Sequence, residues 1–178
     1  MRWAAPVAKG PSPVGSADVS VKRLVPLVLA GAGVLASACS APPLPQVTFF
    51  AVNTTAVTGP SEYCDLRVDK CAVDPSAGAT LAVPPNKPLQ ISVPTEVGDA
   101  AWQVVFKYKL NGQEQQERSS VFARGERLAY TLAVPAGGQL ETAEVQRYAG
   151  VMTLNPNTGE PQFVVGASWV LSVAGQSG

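Results

Sequence analysis

Residues 100–110 read AAWQVVFKYKL. Trp102, Val104, Phe106, Tyr108 and Leu110 fall on one side of an extended chain, with Gln103, Lys107 and Lys109 on the other. Alternation with a period of two over that length fits a half-buried strand and no helix. Asn111 and Gly112 follow at once, the pair preferred in a two-residue type I′ hairpin because both central residues need positive φ. The chain therefore doubles back, and EQQERSSVF (114–122) returns as a polar strand at an exposed edge. A strand with one apolar face is stable only against another such face, so the rest of the chain must supply one.

It does so in short pieces. QVTFFAV (46–52) is β-branched and aromatic, and VTGPSEYCDL (57–66) is a second strand interrupted at Gly59-Pro60, since proline cannot donate to a ladder. ATLAV (79–83) stops at Pro84-Pro85. PLQISV (88–93) places Leu89, Ile91 and Val93 together, and RLAYTLAV (127–134) does the same for Leu128, Tyr130, Leu132 and Val134. QFVVGASWVLSV (162–173) aligns Phe163, Val165, Ala167, Trp169, Leu171 and Val173. QLETAEVQRY (139–148) permits helix or strand by composition, and its neighbours favour strand. Turn signals at 8–15-residue spacing, with no convincing helix, predict an all-β domain over 47–175. An immunoglobulin-like sandwich is the first expectation and a small β-barrel the second. The predicted core is Phe49, Leu89, Ile91, Trp102, Val104, Phe106, Tyr108, Leu128, Tyr130, Leu132, Phe163, Trp169 and Leu171.

What precedes the domain is of another kind. Lys22 and Arg23 lead into an apolar run that ends in the small residues Ala36, Ser37 and Ala38. As a helix the run is about 22 Å long, short of the ~30 Å hydrocarbon core, so it reads as a secretory signal within 1–38. The Pro-, Gly- and Ser-rich residues 1–21 have no periodicity, and translation is expected to start near Val19 or Val21.

Cys39 follows Ala38 directly. The small residues before it resemble the bacterial lipobox, whose cysteine is acylated and becomes N-terminal; Ala36 departs from the preferred Leu, and Leu35 lies one position back. Ordinary signal cleavage fits the same spot, which makes a secreted soluble protein the alternative. The other two cysteines, Cys64 and Cys71, lie close together in YCDLRVDKC. In an exported protein such neighbours pair, leaving Cys39 as the lipid attachment site. Residues 39–46 then form a Pro-rich tether. The expected location is the outer face of the cell membrane.

Charge and missing chemistry narrow the function. Basic and acidic residues number 13 each, but four basic and only one acidic residue precede Cys39. That leaves nine and twelve from Cys39 onward, a net charge of −3. This acidic balance argues against a nucleic-acid partner, which needs a basic surface to displace counterions. With 0 histidines the commonest general base and metal ligand is absent. No nucleophile elbow, phosphate loop or dinucleotide fingerprint occurs. The carboxylate pairs Asp65/Asp69 and Glu114/Glu117 have the spacing of ordinary loops and edges, and two carboxylates fall short of a calcium shell. Ser119 and Ser120 are expected opposite Lys107 and Lys109, as a solvated hairpin face. No catalytic, cofactor-binding or metal-binding residue is assigned.

The stretches VPPNKPLQISVPTEV, WQVVFKYKLNG, SSVFARGERLAYTLAVP, QLETAEVQRY and SWVLSV, with YCDL and its second cysteine, resemble an uncharacterised family of actinobacterial, mycobacterial-type exported lipoproteins. The resemblance covers most of residues 46–173 and implies an envelope location. Two functions are then in competition. One is a non-enzymatic module that binds an envelope component, with Lys107, Lys109 and Arg118 as the expected contact. The other is a carrier of a hydrophobic ligand such as a glycolipid, which needs a cavity between the sheets.

Overall fold

The computed structural model describes residues 42–65 and 67–175. The signal segment and Cys39 lie outside the described residues. Residues 42–46 run without regular structure into β1 (Val47–Ala51), which turns back through Val52, at φ 57°, into β2 (Thr54–Thr58). Proline and glycine at 59–60 break the chain before β3 (Glu62–Cys64), which pairs with β4 (Cys71–Val73). β5 (Ala79–Leu81) and β6 (Leu89–Ser92) follow. A single helical turn, α1 (Thr95–Gly98), then leads to β7 (Trp102–Leu110) and β8 (Gln113–Arg118). β9 (Ala129–Leu132) and the long strands β10 (Gln139–Leu154) and β11 (Pro161–Val173) complete the domain.

The strands form two sheets. One has the order β2-β1-β6-β9; the other runs β4-β3-β11-β10-β7-β8, with β5 parallel to β11 beyond β3. Among the described residues neither sheet closes on itself, so the domain is a sandwich, and the barrel alternative falls. The stretch 139–148, ambiguous by composition, is strand, held between β7 and β11 by two ladders. α1 was not expected from the sequence. Pro94 precedes it in an extended conformation, and the turn buries Val97 completely.

Alternate residues of facing strands build the core. Val47, Phe49, Leu89 and Ile91 of the small sheet meet Trp102, Val104, Val145, Trp169 and Leu171 of the large one, all of them fully buried. Both indoles find a partner, as buried tryptophans must. Trp102 Nε1 donates to the Arg127 carbonyl at 3.2 Å and Trp169 Nε1 to the Pro45 carbonyl at 2.9 Å. The second bond ties the segment before β1 to the centre of the domain.

Two expected core residues sit outside the core, and a third packs at its margin. Leu128 is 45% exposed and Phe163 54%, and Tyr130 is only half-buried. Leu128 precedes β9, the edge strand of the small sheet, and lies across Gly98. Phe163 leaves the core for a different reason. The β10–β11 ladder shifts register between Arg147 and Tyr148 and again between Tyr148 and Met152. Beyond that bulge the two strands continue as an arm whose residues Met152, Leu154 and Phe163 are exposed. Alternation alone cannot show where a strand outruns the sheet that faces it.

Candidate functional site

Three regions hold the residues that chemistry would use. The first is the hairpin of β7 and β8. Asn111 and Gly112 form its turn with φ of 52° and 79°, and the register that follows sets Lys107 against Gln116 and Lys109 against Glu114. Lys107 Nζ pairs with Glu114 at 3.1 Å and Lys109 Nζ with Glu141 of β10 at 3.1 Å. These lysines are about half exposed, where such a pair contributes roughly 0–1 kcal/mol. Arg118 lies opposite Val105 and has no ion pair within 4 Å among the described residues. Ser119, expected opposite the lysines, instead accepts from the Val104 amide, because a two-residue turn sets the register further along. The whole of β8 is exposed. It lies at the end of the larger sheet, and every residue it offers is polar.

Tyr108 joins this hairpin to the core. Its ring is buried, while its hydroxyl donates to Glu117 at 2.6 Å. The bond to Glu117, then burial, then the carboxylate's charge all favour the neutral phenol, so its pKa is raised above the usual 10.0.

The second region is the opposite edge. Cys64 of β3 and Cys71 of β4 face each other in register and are joined by a disulfide. Asp65 Oδ1 accepts from the Asp69 amide at 2.9 Å and the Arg67 amide at 3.2 Å, so this carboxylate organises the turn. Glu62 comes close to both sulfurs, but cysteines in a disulfide have no thiolate to offer a metal. A ring this small contributes about 2.5 kcal/mol at most.

The third region was missed by sequence reasoning. Arg147 of β10 pairs across the sheet with Trp102 on one side and Ala167 on the other, and Ala167 pairs with Tyr63. Residues directly opposite in a sheet share a face, so Arg147 points to the inner, core-facing side. Only 8% of it is exposed, and its guanidinium lies 4.9 Å from the centre of the Tyr63 ring. Its Nε is buried without a hydrogen-bond partner, and among the described residues no carboxylate lies within 4 Å of it. A surface recess of about 290 Å³ opens here, lined by Arg147, Arg124, Asp99, Tyr148, Ala149 and Phe163 among others. Tyr148 and Phe163 lie against each other on one side of it, their ring centres 5.4 Å apart and their planes tilted by 46°. Burial raises the Tyr148 pKa, and the positive charge of Arg118 opposes that shift.

The signal for Arg147 was present in QLETAEVQRY. Ala143, Val145 and Arg147 alternate, so assigning the stretch as strand puts a charged residue in phase with two buried apolar ones. A composition that permits helix as well as strand obscures that phase.

Residues 40–174 match the family described as Protein of unknown function (DUF2771). An uncharacterized protein of Mycobacterium bovis is 30% identical over 146 residues, covering 80% of this chain and 86% of the relative. Uncharacterized proteins from two strains of Mycobacterium tuberculosis match to the same extent. No solved structure matches. On the extent of that match the chain belongs to the DUF2771 family of proteins of unknown function.

Proposed function

We propose that this protein is anchored by a lipid on Cys39 to the outer face of the cell membrane, and that its sandwich acts there by binding rather than by catalysis. The observation that carries the proposal is the Cys64–Cys71 disulfide. Disulfides persist in oxidising compartments, and this one leaves Cys39 as the one cysteine of three without a partner in the pair. Acylation turns an otherwise vulnerable thiol into an anchor. A mature domain of net charge −3 has no polybasic run to hold it at an anionic surface, so the lipid must do so.

The edge hairpin, with Lys107, Lys109 and Arg118, is the proposed contact for an envelope partner. The alternative of a hydrophobic-ligand carrier needs room between the sheets. Trp102, Trp169, Phe49, Ile91 and Leu171 fill that space, so an apolar ligand would have to lie on the surface. Fractionation of Cys39→Ala tests the anchor. The variant should leave the membrane fraction or stay unprocessed, and unchanged membrane attachment would overturn the proposal.

A further inference from the structure

A charge is rarely left on the core side of a sheet without a partner, because its desolvation must be offset by an ion pair or by hydrogen bonds. Arg147 is such a charge. The face of the Tyr63 ring satisfies part of it, but its Nε has no acceptor and no acid pairs with it among the described residues. It is more than nine-tenths buried and lines the recess at the root of the β10–β11 arm. Arg124, exposed, lines the same recess. Asp99 lines it too, but forms no ion pair with either arginine, so the two cations outnumber the acid. A guanidinium fork matches the oxygens of a carboxylate or phosphate.

The recess continues into an apolar surface. Phe163, in its wall, pairs across the arm with Met152, and Leu154 pairs with Pro161. Met152 and Leu154 share a face of the strand, as do Phe163 and Pro161, so the four form one strip. Met152, Leu154 and Phe163 are 56%, 65% and 54% exposed. Large apolar residues gathered outside a core mark an interaction surface.

We propose that the recess and strip bind a single anionic amphiphile, with its carboxylate or phosphate at Arg147 and Arg124 and its apolar chain along Phe163, Met152 and Leu154. The recess volume of about 290 Å³ accepts the acidic group and the first carbons; the strip takes the rest. This goes beyond the anchored-module reading and does not depend on Cys39, so binding in solution and membrane fractionation fail separately.

Calorimetric titration of the purified full chain with dodecyl phosphate below its micelle concentration tests the site. Inorganic phosphate and dodecyl maltoside provide the head-only and neutral-head comparisons. Saturable binding of dodecyl phosphate is expected, tighter than either comparison. Arg147→Gln should weaken it roughly tenfold or more, the effect of removing a charge-assisted hydrogen bond. Phe163→Ser with Leu154→Ser should weaken dodecyl phosphate and leave inorganic phosphate unchanged. If Arg147→Gln does not fold, Arg124→Gln on the exposed side of the recess takes its place, with roughly threefold weakening expected. Unchanged affinity in the folded arginine variant, equal affinity for the maltoside, or no saturable binding would overturn the proposal. So would binding only to phosphatidylglycerol vesicles, independent of Arg147, which would move the surface to the bilayer.

Discussion

Two hairpins extend from the large sheet, and they meet water in opposite ways. β7–β8 is polar along its outer strand, its turn is the tight Asn111-Gly112 pair, and Lys107 and Lys109 each have a carboxylate at 3.1 Å. β10–β11 is longer, carries a bulge at its root, and exposes Met152, Leu154 and Phe163. The first has the character of an edge kept soluble: paired charges on a terminal strand discourage another chain from adding to it. The second keeps apolar surface where solubility alone would remove it, beside an arginine with no acidic partner among the described residues. The contrast teaches that a charged hairpin can be the quieter surface, because its two lysines already have carboxylate partners.

The root of the arm and the turn of the polar hairpin should differ most sharply in what they tolerate. At Gly166 in β11 an added Cβ would come within 3.0–3.2 Å of Ala149, including its backbone N and Cα. Backbone cannot swing aside as a long side chain can, so Gly166→Val should destabilise the domain by about 1–3 kcal/mol. The change should also reduce binding at the neighbouring recess. At Gly112 an added Cβ would meet nothing within 4 Å among the described residues, and only the left-handed backbone at φ 79° opposes a side chain. Gly112→Ala should cost about 1–2 kcal/mol with no effect on the arm. Urea denaturation measures both losses, and a Gly166→Val variant as stable as the wild type would deny the arm its tightly packed root.

Much of this architecture was legible in the sequence. β7 alternates apart from Val105, so its buried face and its exposed lysines could both be named, although Gln103 on the outer face is buried as well. Asn111-Gly112 announced the turn, and the prolines at 60, 84–85 and 94 marked where ladders end. Legibility failed where a local pattern depends on a distant partner. Leu128 and Phe163 alternate as correctly as Ile91, but Leu128 precedes the edge strand β9 and Phe163 lies beyond the bulge of the β10–β11 ladder. The bulge at Tyr148 arises from a mismatch between two strands, which neither strand carries alone. Of the residues that would do chemistry, the lysines were visible because they break an apolar pattern. Arg147 was not, because its burial depends on strands β7, β11 and β3 arriving on either side.

Reversing the charges of the polar hairpin provides a gentler test. In Lys107→Glu the new carboxylate faces Glu114, and the loss should be about 1 kcal/mol or less. Adding Glu114→Lys should restore most of it, as a double-mutant cycle would measure. The combined Lys107→Glu, Lys109→Glu and Arg118→Glu variant asks the functional question through the envelope proteins that co-purify with it. A changed set would make the hairpin a contact surface. An unchanged set would leave it a solvated edge and give the arm the binding role alone.

The smallest expected effect separates the hairpins by the acidity of one phenol on each. Tyr108 is held neutral chiefly by its hydrogen bond to Glu117, and Tyr148 by burial, which the charge of Arg118 opposes. Both therefore ionise above the ordinary value of 10.0 when folded, though for different reasons. A phenol whose folded pKa is raised contributes stability that is complete below its unfolded pKa, and loses it as the pH climbs through the folded one. Near neutral pH neither tyrosine should make stability depend on pH; above about 10 both should. Glu117→Gln removes the carboxylate acceptor and its charge, so Tyr108 should titrate lower while Tyr148 stays in place. Arg118→Gln removes the opposing cation, so Tyr148 should titrate higher while Tyr108 stays in place. Phenolate absorbance followed through an alkaline titration of wild type and both variants resolves the shifts. Two independent movements would show hydrogen bonding governing the polar hairpin and desolvation the root of the arm. If one substitution moved both tyrosines, the two hairpins would share one electrostatic environment and the distinction between them would fail.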